Sequence, residues 1–330
     1  MGSMAAHGAD LAAMERALRD RFTASALSRA TAVGYLDVFR WFSEGFERRE
    51  GRAPTIADVA VVSAEAGLAS QMEAAARAGR PWSKATTLSY RRQLRAVGGH
   101  LRDLFDLPAN PLAGLRCGPT TRYKAGKGAD PIRADELTAV LDSLDANDPV
   151  ERVTRAIILL GYEAGPRKSE LAGMRIEDFQ SVTANGMELG SVVTVTRPAK
   201  GGSARTLPLG VRAEEQLRAF IGDRRTGPLF PDRAGAPLSG EAIASRLTRA
   251  GAKVGVALGT HRLRRSASLA MQRYGATQAT LDTVFGWEPS SRDVSSGSYL
   301  RPDVVGLIYL HQSRLSPLDR LELELGRPLA

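Results

Sequence analysis

The sequence predicts a mainly α-helical protein of two domains, with one small antiparallel β-sheet. Three observations carry that expectation. At 330 residues the chain is longer than one typical core organises, and most of its apolar residues recur at helical spacing. β-Branched residues concentrate instead in Ser191 to Arg197, which Gly201-Gly202 turns back into Ala204 to Leu209, a hairpin. Hydrophobic content of 43% with 25% charged residues fits a globular chain able to fill both cores.

Four helices are expected first. Asp10 caps a helix whose Leu11, Met14, Leu18 and Phe22 share a face, and Thr31 opens a second with Leu36, Phe39, Phe42 and Phe46 in phase. Thr55-Ile56-Ala57-Asp58 reads as a capping box for a third, which runs to about Ala78 before Gly79-Arg80-Pro81. The fourth runs from about Thr87 to Phe105. Leu94, Val97, Leu101 and Leu104 form its apolar stripe, while Arg91, Arg95 and Arg102 fall within roughly 40° of one another and about 120° from it. One face packs; the other presents guanidinium groups suited to a phosphate backbone.

Asn110-Pro111, Gly118-Pro119 and Gly126-Lys127-Gly128 then break the periodicity. Residues 108–130 read as a basic linker, with Arg122, Lys124 and Lys127, between a first domain at 1–107 and a second at 131–330. The second domain begins with helices at about Arg133 to Leu144 and Pro149 to Glu163, then a short helix with Pro166 in its first turn. After the hairpin, helices are expected at about Arg212 to Gly222, Ser239 to Val254, His261 to Tyr274, with Thr260 as cap, and Thr277 to Val284. A last one spans about Pro302 to Leu323.

Charge and composition narrow the function. Forty-five Lys and Arg against 36 Asp and Glu give a net charge of +9, which favours a polyanion, most often nucleic acid. The single cysteine, Cys117, excludes an intramolecular disulfide, and the four scattered histidines form no metal-binding pattern. No apolar run approaches the ~18 residues of a membrane span, no signal-peptide pattern opens the chain, and no phosphate loop seats a nucleotide. The expectation is a cytoplasmic, nucleoid-associated protein with no cofactor and no metal.

What the residues offer is metal-independent chemistry on a phosphodiester. That reaction needs cations on the non-bridging oxygens, an in-line nucleophile and an acid for the leaving oxygen. Arg167 opens a helix, so its charge and the helix dipole can act on one anion, and Glu170 shares its face. Lys200, at the hairpin tip, can protonate a leaving group. His261 and Arg264 lie on one face at a helix start. Trp287 supplies an indole donor or a wall. Tyr299, among Ser295, Ser296, Gly297 and Ser298, can present a phenol from a loop. Tyr309 is the alternative nucleophile, although Val305, Ile308 and Leu310 around it argue for a core position.

This set resembles the tyrosine recombinase, or phage integrase, family. Gly165-Pro166-Arg167-Lys168-Ser169-Glu170-Leu171 is similar to its first arginine motif, Lys200-Gly201-Gly202 with Arg205 to its hairpin lysine, and His261 with Arg264 to its HxLR motif. Trp287 stands where the family usually has His, and Tyr299 follows at an interval a few residues longer than usual. The resemblance implies a helical, SAM-like core-binding domain and an α+β catalytic domain closing as a C-shaped clamp on double-stranded DNA. It also implies a homotetramer on paired sites that is a monomer or weak oligomer when free, with possible accessory DNA-bending or directionality proteins. By that likeness Tyr299 forms a 3′-phosphotyrosyl link, Arg167 and Arg264 neutralise the phosphate, His261 assists proton handling and Lys200 is the general acid. Arg91, Arg95, Arg102, Arg122, Lys124, Lys127 and Arg205 are then expected to contact DNA. The segment from about Pro302 is expected to dock on a neighbouring protomer. A type IB topoisomerase or a catalytically silent DNA-binding regulator are the alternative readings.

Overall fold

The computed structural model describes residues 9–25, 27–118, 130–184, 187–196, 204–287, 316–327 and 329. The chain divides into two compact units, residues 1–126 and 127–330, each with its own hydrophobic core.

The first unit contains α1 (Leu11–Ala24), α2 (Arg29–Glu50), α3 (Val61–Arg77) and α4 (Lys84–Leu104). The Asp10 carboxylate accepts the Ala13 N–H at 2.8 Å, so α1 starts where expected and buries Met14, Leu18 and Phe22. α2 begins earlier than expected: Ser28 is its cap and accepts the N–H of Thr31, which sits inside the first turn. Thr55 to Asp58 does not start α3. It closes a separate 3-10 turn, Ile56–Asp58, because Asp58 satisfies the Thr55 N–H whether or not a helix continues.

α4 buries Leu94, Val97 and Leu101 as its periodicity requires. The segment read as linker from 108 starts within this core, since Leu112, Leu115 and Cys117 are buried in it. Asn110 ties it down: its side-chain amide donates to the Arg95 carbonyl at 2.9 Å and its oxygen accepts the Leu112 N–H at 2.8 Å. Turn residues broke the periodicity while the two leucines still found a core.

The second unit is built around α6 (Pro149–Ala164), which Asp148 caps and which is buried from Ala156 to Ala164. α5 (Ala134–Asp142), α8 (Val211–Ile221), α9 (Gly240–Ala252), α10 (Thr260–Arg273) and α11 (Gln278–Phe285) share its core, together with the short α7 (Lys168–Gly173). The expected hairpin is present as β2 (Met187–Val195) and β3 (Arg205–Leu209), with Val193 opposite Leu207. A third strand, β1 (Phe179–Ala184), adds antiparallel to β2 in the order β1-β2-β3.

Two helix starts differ from expectation. Gly259, not Thr260, is the N-cap of α10, and Arg167 caps α7, which leaves Pro166 before the cap.

The last described helix, α12 (Pro317–Leu325), is not one helix continuing from 302; Ser316 caps it with Pro317 at its first position. It packs within its own unit, while residues 302–315 of the segment expected to dock on a neighbour lie outside the described residues. Leu318, Leu321 and Leu329 belong to that unit's core. Among the described residues no helix is long and apolar enough to cross a membrane.

Candidate active site

The site is assembled where α6 ends, α7 begins and α11 stops. Gly165 ends α6 in the left-handed region at φ +57°, and a Cβ there would lie 2.6 Å from the Phe285 ring and 3.0 Å from the Arg264 Cα. Only glycine lets α6, α10 and α11 approach so closely. Two residues later, the N–H of Arg167 donates to Glu170 Oε2 at 2.6 Å, which fixes the start of α7.

Glu170 is the centre. Its side chain is fully buried, and Arg205 from β3 grips it with both terminal nitrogens, at 2.7 and 2.6 Å. Arg167 adds Nη1 to Oε1 at 3.0 Å. Burial alone would raise the Glu170 carboxyl; the bonds from Arg205 and from Arg167 outweigh it and hold it down to about 2. The carboxylate is therefore ionised at any working pH.

Arg264, on the inner face of α10, meets carbonyls rather than a carboxylate. Its Nη1 donates to the Gly165 carbonyl at 2.6 Å, its Nη2 to the Phe285 carbonyl, and its guanidinium carbon lies 5.0 Å over the Phe285 ring. Burial, with the like charges of Arg167 and Arg205, lowers its pKa to about 10. It remains a cation, held at some electrostatic cost.

Three successive carbonyls at the end of α11 thus serve three arginines. Val284 accepts from Arg205 Nε at 2.9 Å, Phe285 from Arg264, and Gly286 from Arg167 Nη2 at 3.2 Å. Terminal helix carbonyls lack intrahelical partners and carry the negative end of the dipole, so cations suit them. Gly286 is also left-handed, at φ +57°.

The outward side carries the remaining described residues of the set. The Arg167 side chain keeps 33% of its surface exposed. Trp287 is 39% exposed and stacks on Phe285, with centroids 5.1 Å apart. His261 is exposed on the first turn of α10, three residues before Arg264. Lys200 and Tyr299 lie outside the described residues, as do Arg122, Lys124 and Lys127.

The expected DNA contacts fare unequally. Arg205 is only 7% exposed and all three of its nitrogens are engaged, so it is turned away from any duplex. The signal for this was its phase: Arg205, Leu207 and Leu209 alternate onto one buried face of β3. Arg91 donates to Glu65 at 2.7 Å and Arg102 to Asp103 at 2.5 Å, whereas Arg95 is simply exposed. Gly165, quoted above only as part of the first arginine motif, and Gly286 are structural members of the site to which the sequence reading gave no role.

Comparison with known proteins identifies the family and the fold. The model of the phage integrase family matches residues 131–295, half of the chain, ending just before Tyr299. The tyrosine recombinase XerC of Azotobacter vinelandii (strain DJ) is 34% identical over 141 residues, 41% of this chain and 44% of the relative. That of Xylella fastidiosa (strain M23) is 30% identical over 179 residues, 52% and 56% respectively. The chain spans about half the length of the curated relatives it matches. Among solved structures, a lambda integrase(75-356) dimer bound to a COC' core site superposes with a TM-score of 0.58 at 17% identity, covering 87% of this chain and 95% of that one. The Tn1549 transposon integrase in complex with a circular intermediate DNA gives 0.58 at 15%, covering 92% and 99%. At such identities the likeness is one of fold.

Proposed function

This chain belongs to the phage integrase family, and we propose that it is a site-specific tyrosine recombinase, cutting and rejoining double-stranded DNA through a covalent 3′-phosphotyrosyl intermediate. One observation carries the reading: three arginines converge on a single carboxylate. Glu170 balances one of them, and Arg264 is held by carbonyls and a ring, so the cluster has positive charge to spare beside an exposed edge of Arg167. A phosphodiester is the anion that such a surplus fits.

In this reading Tyr299 attacks phosphorus in line and the 5′-hydroxyl leaves. Arg167 and Arg264 take the non-bridging oxygens, Lys200 protonates the leaving oxygen and His261 handles the proton of the phenol. Trp287 walls the site beside Phe285. The energy of the broken bond is kept in the tyrosyl ester, so a 5′-hydroxyl from a second site reseals the strand and frees Tyr299 without ATP. Arg95 is the described member of the α4 face best placed to follow a phosphate backbone. The assembly is a homotetramer on two paired sites, with the free protein monomeric or weakly associated, working in the cytoplasm on nucleoid DNA with or without DNA-bending partners.

The test is to incubate the full chain with nicked duplex fragments of its host DNA, isolate covalent protein–DNA adducts and sequence the trapped strand and peptide. We expect one recurrent DNA sequence joined at Tyr299, and no adduct from Tyr299→Phe. Adducts that persist in Tyr299→Phe overturn the nucleophile. Relaxation of a supercoiled plasmid without any joining between two sites would favour the topoisomerase reading instead.

A further inference from the structure

Arg205 sits in the middle of the site yet cannot touch a substrate. Its side chain is 5% exposed, and every nitrogen is committed: two to Glu170, at 2.7 and 2.6 Å, and Nε to the Val284 carbonyl at 2.9 Å. Those partners are the supports of the other two arginines. Glu170 holds both the N–H and the guanidinium of Arg167, while Val284 immediately precedes Phe285 and Gly286, whose carbonyls hold Arg264 and Arg167. β3, α7 and the end of α11 come from distant parts of the sequence, and a single side chain bonds all three.

We propose that Arg205 is a positioning residue for strand cleavage: it locks Glu170 to the end of α11, so that Arg167 and Arg264 face the scissile phosphate in a fixed mutual geometry. The proposal rests on the recombinase reading above and adds to it a residue that acts without meeting DNA. The bidentate fork is needed for this. A lysine has one point of charge and cannot reach both Glu170 oxygens and a carbonyl along fixed directions. The contact with Val284 also depends on the left-handed Gly286, since a Cβ there would come within 3.2 Å of the Arg205 Cδ.

Losing Arg205 also leaves Glu170 buried without its main partner. Burial then raises the carboxyl, which takes up a proton as pH falls and releases the Arg167 guanidinium. A role confined to packing predicts no such pH dependence.

The experiment compares the full-length wild type with Arg205→Lys, Arg205→Met, Glu170→Gln and the Arg205→Met/Glu170→Gln pair. Affinity is measured on a random-sequence duplex as a function of salt. The rate of adduct formation is measured at saturating nicked duplex carrying the sequence recovered from wild-type adducts, and thermal unfolding establishes the temperature at which each variant is folded. We expect the salt slope to be unchanged in Arg205→Met, while its adduct rate drops on the order of 100-fold. The deficit should narrow as pH rises between about 5 and 8, Arg205→Lys should recover part of the rate, and the two single losses should not add in the double variant.

A salt slope lowered by about one with an intact rate at saturation would make Arg205 a phosphate contact and sink the proposal. So would a rate loss that only follows the unfolded fraction, or that adds fully to the loss in Glu170→Gln. If Arg205→Met does not fold at the assay temperature, Arg205→Lys is read by the same criteria. Failure of the wild type to form any adduct would instead remove the recombinase reading itself, an outcome visible before any variant is compared.

Discussion

Gly165 shows how one missing side chain sets the chemistry around it. It lies between the Arg264 backbone and the Phe285 ring, and that ring is the floor beneath the Arg264 guanidinium. Gly165→Ala must hold a β-carbon at φ +57° and displace the ring, which together should cost roughly 2–4 kcal/mol. Denaturant unfolding measures that cost. Adduct formation at a temperature where the variant stays folded should still be depressed, because the floor moves under the cation. Among single residues, the sequence announced Arg167, Glu170, His261 and Arg264 through spacing along helices, a local property. Arg205 was read as a DNA contact through the family likeness of the hairpin, and the strand phase that buries it shows only when β3 is set against the core. The carbonyls of Val284, Phe285 and Gly286 could not be read at all, since any residue supplies one.

The element that most changes the picture is α12, and it is fixed by two carboxylates. Glu163, fully buried near the end of α6, accepts the N–H of Gly210 at 2.7 Å and of Leu318 at 3.0 Å, while Asp319 accepts the first N–H groups of α8, at 3.2 and 2.9 Å. Each anion sits at the positive end of a helix. Burial still pushes the Glu163 carboxyl up to about 7, with the Asp319 charge adding to the rise against the two backbone bonds. A carboxyl raised on folding binds a proton more tightly in the native state. Its stabilisation is complete below the unfolded value near 4.5 and is lost as pH climbs through 7. The effect is on the order of 3 kcal/mol at about 1.4 kcal/mol per unit, and the stability difference between wild type and Glu163→Gln, followed by urea unfolding from pH 5 to 8, should shift by that amount in the wild type's disfavour. A flat difference would mean that Glu163 is already ionised in the folded protein across this range, as it is in the unfolded chain. The Asp10 cap was legible because it acts within three residues, and the starts near Pro149 and Ser239 were placed by the same kind of local signal. β1 was not, because Phe179 to Ala184 has little apolar alternation and becomes a strand only by pairing with β2. The start of α12 at Ser316-Pro317 was hidden inside what looked like one amphipathic run.

For the whole molecule, two separate cores make the placement of that last segment testable. The family resemblance implies a segment from about Pro302 that docks on a neighbouring protomer. In its described part Leu318, Leu321 and Leu329 are buried in the core of the second unit, and Glu163 and Asp319 bind backbone across the same junction. Three fully buried leucines at about 1.5–3 kcal/mol each, with the hydrogen bonds beneath them, put the loss on truncation after Leu315 at roughly 5 kcal/mol or more. That loss is expected in the second unit, residues 127–330, whose core holds all three leucines. In a Trp287→Phe background, urea unfolding should therefore show the Trp41 and Trp82 fluorescence transition of the first unit unmoved, while a helix loss followed by far-UV circular dichroism comes at markedly lower urea. If both signals stay where they are, the tail adds no net stability to its own unit. If the second-unit transition falls as expected, any departure of Leu318 and Leu321 from this core must first break the Glu163 and Asp319 bonds to backbone.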